Sequence, residues 1–189
     1  VILPETAVPL YKAFFQANVH IWWMSVDNYL YTLVGNEERL NDDMSFFTQK
    51  KVYHFVLSMY AYDFITNQLK IDKNNVKFLT DYIDEEYLEQ HDETRENIVF
   101  YNWKKQGDEL PILINNHPEI IWMPIKDMSK SEIIDAFHRG KVYVDFGAHP
   151  GKDRIPREAV SCGLCVIVNS QGSAAYTADV PVKDIYRFS

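Results

Sequence analysis

The sequence predicts an α/β fold built on a doubly wound, parallel sheet of the Rossmann-like kind. Short runs of β-branched and aromatic residues recur along the chain with helical stretches between them, the order in which parallel strands and crossover helices alternate. These runs are continuously apolar, as in NIVFY at 97–101 and CVIV at 165–168, and strands buried on both faces read this way. The chain has 189 residues, 47% of them hydrophobic and 14% aromatic. That is enough core for one α/β domain, or for one domain and part of another.

Strands are expected over 18–24, 52–57, 76–79, 97–101, 120–123, 141–145 and 165–168, and the opening residues and the closing DIYRF also read as strands. Helices are expected over 60–69, 85–91, 107–115, 130–139 and 155–162. The fourth of these opens on Ser129 with Glu132 three residues on, a capping box, and closes on His138-Arg139 before Gly140. Pro156 suits the first turn of the last helix, where its missing N–H is not needed. The polar stretch KIDKNNV at 70–76 suggests a division into a partial N-terminal region, 1–72, and a Rossmann-like domain, 73–189. Both ends read as cut from a longer protein.

Several function classes fall away. A net charge of −8 does not suit a nucleic-acid binder, which needs broad positive surface. The two cysteines, Cys162 and Cys165, make no disulfide framework and point to a reducing, cytoplasmic setting. No apolar run reaches the roughly 18–20 residues that span a bilayer, and the first residues lack the pattern of a signal peptide. The Cys-Gly-Leu-Cys spacing follows a helix and precedes a strand, the reverse of a redox motif, and no second such pair completes a zinc site. Neither the glycine fingerprint of nicotinamide enzymes nor a P-loop string occurs.

The chemistry concentrates in residues 141–175. A buried strand ends at Asp145-Phe146-Gly147, and a loop with His149, Pro150, Gly151, Lys152 and Asp153 leads into a helix. Ligands of open α/β sheets sit outside the carboxyl ends of strands. Lys152, Arg154 and Arg157 place three cations within six residues of an acidic chain, where helix N–H groups also favour an anion. Glu158, on the same helix, can serve as an acceptor for paired ribose hydroxyls, as acidic residues do in other nucleotide folds. As a plain i,i+4 pair, Arg154 and Glu158 would contribute only about 0.2–0.5 kcal/mol. A turn at Gly172-Ser173 after the strand 165–168 offers backbone N–H groups to a phosphate. Lys104 and Lys105 follow the strand 97–101, where they are expected either to reach a diphosphate or to stand as solvated loop lysines. Of six histidines, His149 stands out because its loop is the candidate site; the others, His91 among them, read as structural or solvated. Ser25, Asp27 and Asn28 follow the strand that contains Trp22-Trp23 and are the candidates to face an acceptor.

Glu158-Ala159 followed by Cys162-Gly163-Leu164-Cys165-Val166-Ile167 resembles the second half of the "E-x7-E, EA-x3-G-x-PVI" core of retaining GT-B glycosyltransferases. FGAHPGKDRIPREA, with HIWWMSVDNY, LTDYI and FYNWKK, is similar to an uncharacterised bacterial subgroup of such proteins. The resemblance implies a GT-B C-terminal half with part of the preceding domain. It implies transfer of a sugar from a UDP-, GDP- or dTDP-sugar, without metal or other cofactor, in bacterial surface glycan synthesis. The partners implied are that nucleotide sugar and a glycan or lipid-linked acceptor, with peripheral membrane association of the full-length protein. Glu158 would hold the ribose, Lys104 or Lys105 would neutralise the diphosphate, and Gly172 and Ser173 would face the phosphate or sugar. The first glutamate of the spaced pair falls at Pro150, so its function passes to His149, Lys152 or Asp153, or is lost. The alternative is a non-catalytic nucleotide-binding or assembly protein on a degenerate GT-B fold.

Overall fold

The continuous apolar runs become strands of two parallel sheets. In the computed structural model, which describes residues 1–89 and 94–188, the chain divides into two units, 1–81 with 150–152 and 82–149 with 153–189.

In the first unit β1 (Ile2–Pro4), β2 (His20–Trp23), β3 (His54–Val56) and β4 (Val76–Phe78) lie side by side in sequence order, all parallel. The crossovers are a 3-10 segment, Glu5–Ala13, then α1 (Val26–Leu33) with α2 (Glu37–Phe47), then α3 (Met59–Asp63), which runs on into a π turn, Phe64–Gln68. Each α-helix starts on a side-chain cap: Ser25, Asn36 and Ser58 accept the N–H of Asn28, Arg39 and Ala61. Helices α1 and α2 were not expected, although Leu40, Met44 and Phe47 carry a helical spacing. The core gathers around Trp23, which meets Tyr29 and Phe47 edge-on at centroid distances of 5.0 and 5.3 Å. Because β4 pairs with β3, residues 76–78 belong to the first sheet. The division expected at 72/73 therefore moves to follow Asp81.

A buried histidine makes the stability of this unit depend on pH. The Trp23 indole N–H donates to His54 Nδ1 at 3.0 Å, and Nε2 faces the Phe47 carbonyl at 3.1 Å. A carbonyl only accepts, so Nε2 carries the hydrogen and the ring is neutral. Burial, with a smaller contribution from His20, pushes the His54 pKa down to about 4. An unfolded histidine titrates near 6.5. Between those values the unfolded chain binds a proton that the folded one does not. The stabilisation is thus complete above about pH 6.5 and declines by about 3 kcal/mol as pH falls to 4. Urea midpoints at pH 7 and pH 4 for wild type and His54→Gln will measure it, because the other titrating groups cancel in the difference. A wild-type advantage that did not shrink toward pH 4 would contradict the assignment.

The second unit holds β5 (Ile98–Asn102), β6 (Ile121–Ile125), β7 (Val142–Asp145), β8 (Cys165–Asn169) and β9 (Arg187–Phe188), in the spatial order β6-β5-β7-β8-β9, all parallel. Alternate residues of each strand point to opposite faces. Phe100, Tyr143 and Val168 pack with Ile134 and Phe137 of α5 (Lys130–Arg139) and Ala159 of α6 (Arg154–Ser161). Val99, Tyr101 and Val144 pack with Leu110 of α4 (Glu109–Asn116) on the other face. Helices therefore cover both sides, as expected of a doubly wound sheet. The capping box at Ser129 and Glu132 is present. The helix expected over 85–91 is a 3-10 turn, Glu85–Leu88, anchored by buried Tyr87, and His91 lies outside the described residues.

Arg95 fastens this unit. Its guanidinium donates to the Phe137 and Gly140 carbonyls at the end of α5, at 3.0 and 2.7 Å, and to the Cys162 carbonyl at the end of α6, at 2.6 Å. Gly163, at φ +83° in the left-handed region, closes α6 by donating its N–H to the Val160 carbonyl at 2.8 Å.

Candidate functional site

The strand order reverses direction between β5 and β7. β6 lies on one side of β5, while β7, β8 and β9 follow on the other. The connections leaving these two carboxyl ends diverge, and in open α/β sheets ligands bind at such a switch point. The chain places a cluster of buried and half-buried charged groups there.

From the loop after β5, Lys105 extends its ammonium to Asp153 Oδ2 at 2.6 Å. Gly147 makes room for this: a methyl group there would collide with the Lys105 Cβ. Asp153 is the N-cap residue of α6, yet its side chain makes no capping bond. Its carboxylate serves Lys105, and it lies 3.0 Å from His149 Nδ1. That second contact has ion-pair distance without hydrogen-bond alignment, since Nδ1 makes no aligned bond among the described residues. Burial alone would raise the Asp153 carboxyl, but His149 and Lys105 together outweigh it and hold the pKa below the usual value.

Asp145 ends β7 and is 1% exposed. The Tyr143 hydroxyl donates to its Oδ2 at 2.9 Å and the Gly147 N–H to its Oδ1 at 3.3 Å. Burial pushes the Asp145 carboxyl up, against the opposing pull of His149 and Tyr143. Two carboxyls on either side of one imidazole are thus driven in opposite directions, a pattern concentrated at functional sites. His149 itself is fully buried. Its backbone carbonyl accepts the Ser173 N–H at 2.9 Å, and Gly172, at φ +53°, sits against that carbonyl so closely that a methyl group would strike it. Asn169, at the end of β8, donates from Nδ2 to the Phe146 and Gly147 carbonyls at 2.7 and 2.8 Å.

The structure brings Lys105, His149 and Asp153 into one cluster, with Gly172 and Ser173 beneath His149. The backbone N–H of Ser173, expected to meet a phosphate, is engaged by His149 instead. Arg157 donates from Nε to the Asp153 carbonyl at 3.1 Å, and exposed Arg154 pairs with Glu158 at 3.2 Å. Glu158 is 6% exposed and also borders Tyr87, whose hydroxyl is pushed up to about 12 by burial and by the Glu158 charge. Lys104 is exposed. Lys152 is half-buried and belongs with the first unit, where its neighbour Gly151 makes an antiparallel bridge with Ser25.

The expected acceptor-facing residues are largely committed elsewhere. Ser25 caps α1 and donates its own N–H to Glu5 Oε1 at 3.2 Å. Asp27 accepts from the Tyr60 hydroxyl at 2.6 Å, and only Asn28 of the three is exposed. Sequence reasoning passed over Tyr143, Asp145 and Asn169. An acidic residue closing an apolar strand was the available signal for Asp145. The Cys162 thiol is pushed up to about 11 by burial, the opposite of a reactive redox thiol.

Neither a protein-family model nor a curated protein matches the chain, but solved structures do. One is a glycosyltransferase from Rickettsia africae ESF-5, with TM-score 0.57 and 11% identity, covering 97% of this chain and 65% of that one. Another is Alr3699/HepE of Anabaena in complex with UDP-glucose, with TM-score 0.61 and 10% identity, covering 92% and 61%. A third is WaaG, a glycosyltransferase involved in lipopolysaccharide biosynthesis, with TM-score 0.55 and 12% identity, covering 90% and 64%. The fold is that of the GT-B glycosyltransferases. At these identities the likeness is one of GT-B fold alone, and the chain spans 61–65% of those structures' length. Among the described residues, no helix is long and apolar enough to cross a membrane.

Proposed function

We propose that this chain is the nucleotide-sugar-binding part of a glycosyltransferase that works in bacterial surface glycan synthesis. The observation that carries this reading is the charged cluster of Lys105, Asp145, His149 and Asp153 at the switch point of a GT-B-like sheet. In this reading Lys104, Lys105, Arg154 and Arg157 neutralise the diphosphate of a UDP-, GDP- or dTDP-sugar, helped by the first N–H groups of α6. Glu158 accepts from the ribose hydroxyls, and Gly172 lets the backbone lie close beneath. As the sugar leaves, negative charge builds on the diphosphate. Positive groups already in place stabilise that charge without reorganising. His149, Asp153 and Lys152 take the place beside the transferred sugar that the first family glutamate would hold. In the same reading Asn28 is assigned to the acceptor, a glycan or lipid-linked substrate.

Calorimetry on the full-length protein tests this. UDP, GDP or dTDP is expected to bind, and Glu158→Ala to weaken that binding about 10–100-fold, the worth of a hydrogen bond to a charged group. Circular dichroism checks that the variant stays folded. Absence of nucleotide binding by the full-length protein, or unchanged affinity in the folded variant, would sink the proposal.

A second reading, a nucleotide-binding or assembly protein without turnover, is favoured by Pro150 at the first-glutamate position and by the mutual pairing of Lys105 and Asp153. Donor hydrolysis separates the two: bound nucleotide sugar that is neither hydrolysed nor transferred selects the second.

A further inference from the structure

Asp145, His149 and Asp153 each offer one ligand atom within 4.8 Å of the others. Acidic groups cluster often without consequence, but the histidine sets this cluster apart. His149 is fully buried, and its Nε2 lies 3.4 Å from the Asp145 carbonyl oxygen. A carbonyl only accepts, so this contact is met by the tautomer with its hydrogen on Nε2, and in that neutral form Nδ1 presents a lone pair. Among the described residues no group makes an aligned hydrogen bond to Nδ1, and it lies 3.0 Å from Asp153 Oδ2. A lone pair and a carboxylate oxygen at that distance repel unless a proton or a metal cation lies between them, and the contact lacks the alignment of an N–H···O bond. The separation suits a metal cation: metal–nitrogen and metal–oxygen bonds of about 2.0–2.2 Å set neighbouring ligands about 3.0–3.4 Å apart.

The surroundings have the form of an outer ligand shell. A metal-binding histidine usually donates its second N–H to a carbonyl or carboxylate, and its carboxylate partners are themselves hydrogen-bonded. Here Nε2 faces the Asp145 carbonyl, Tyr143 and the Gly147 N–H hold the Asp145 carboxylate, and Ser173 fixes the His149 backbone. Asp153, with its side chain 21% exposed, gives the way in. The Lys105 ammonium, 2.6 Å from Asp153 Oδ2, is the resident competitor that an entering ion displaces.

We infer that Asp145, His149 and Asp153 form a binding site for one divalent transition-metal ion, of zinc or manganese type. The site stands whether or not the protein transfers sugar.

The test uses the untagged full chain with Zn²⁺ and Mn²⁺ as calorimetric probes. One Zn²⁺ per chain is expected, bound more tightly than Mn²⁺ because an imidazole nitrogen contributes. Co²⁺ is expected to give visible d–d absorption with no thiolate charge-transfer band. His149→Gln and Asp153→Asn should each weaken Zn²⁺ binding about tenfold or more, with circular dichroism unchanged. Glu96→Gln, at an exposed carboxylate paired with Arg139, should leave it as it was. Absence of stoichiometric Zn²⁺ binding, a thiolate band from Cys162 or Cys165, or full affinity in folded His149→Gln would each overturn the site. Should a variant fail to fold, the wild-type Co²⁺ spectrum decides alone.

Discussion

Arg95→Ala is expected to destabilise the second unit by about 3–5 kcal/mol. One guanidinium satisfies carbonyls at the ends of both α5 and α6, and those carbonyls have no intrahelical partner of their own. Truncation removes three charge-assisted bonds and leaves their acceptors partly buried. The positive charge also opposes the negative pole at each helix end, so its loss compounds the effect. Native-state hydrogen exchange will show this as reduced protection of amides in α5, α6 and β5, with those of β2 and β3 unaffected. A loss below about 1 kcal/mol would mean that solvent replaces the arginine without cost.

Gly172→Ala is expected to cost about 2–5 kcal/mol. Holding an alanine in the left-handed region accounts for about 1–2 of this, and the new methyl group strikes the His149 carbonyl, an overpacking cost of about 1–3. Gly35→Ala is the internal reference. Gly35 has φ +73° with nothing within 4 Å of a built methyl group, so it should lose only the backbone share. Thermal denaturation of both variants separates strain from collision, and equal losses would refute the collision. Because Ser173 binds the same carbonyl, the displacement in Gly172→Ala would also reach the imidazole of His149.

The strands and their parallel arrangement were legible because burial on both faces leaves continuous apolar runs. Ile98–Asn102 and Cys165–Asn169 fall within a residue of where those runs place them. The capping box at Ser129 was legible because its bonds are local. What escaped notice depended on distant partners. The 3-10 segment Glu5–Ala13 has Pro9 inside it and little periodicity. The sheet to which 76–78 belongs is decided by its pairing with His54–Val56, which no local pattern announces. At the site, the basic loop and His149 were readable, but the arrangement was not. Lys105 and Asp153 are far apart in sequence and meet only because β5 and β7 are neighbours. Ser173 looked like a phosphate donor because its turn sits in the right place, while its N–H belongs to His149.

Parallel pairing throughout both sheets carries a kinetic consequence. No two neighbouring strands can zip together through a tight hairpin, since each ladder forms only after a crossover has brought its second strand round. Every such step closes a loop before the gain from burial arrives, which puts chains of this topology among the slower folders. During that interval the bare edges of β2 and β5, both strongly apolar, are open to pairing with another chain. Low temperature and dilute protein are therefore the conditions under which refolding from denaturant gives the best yield.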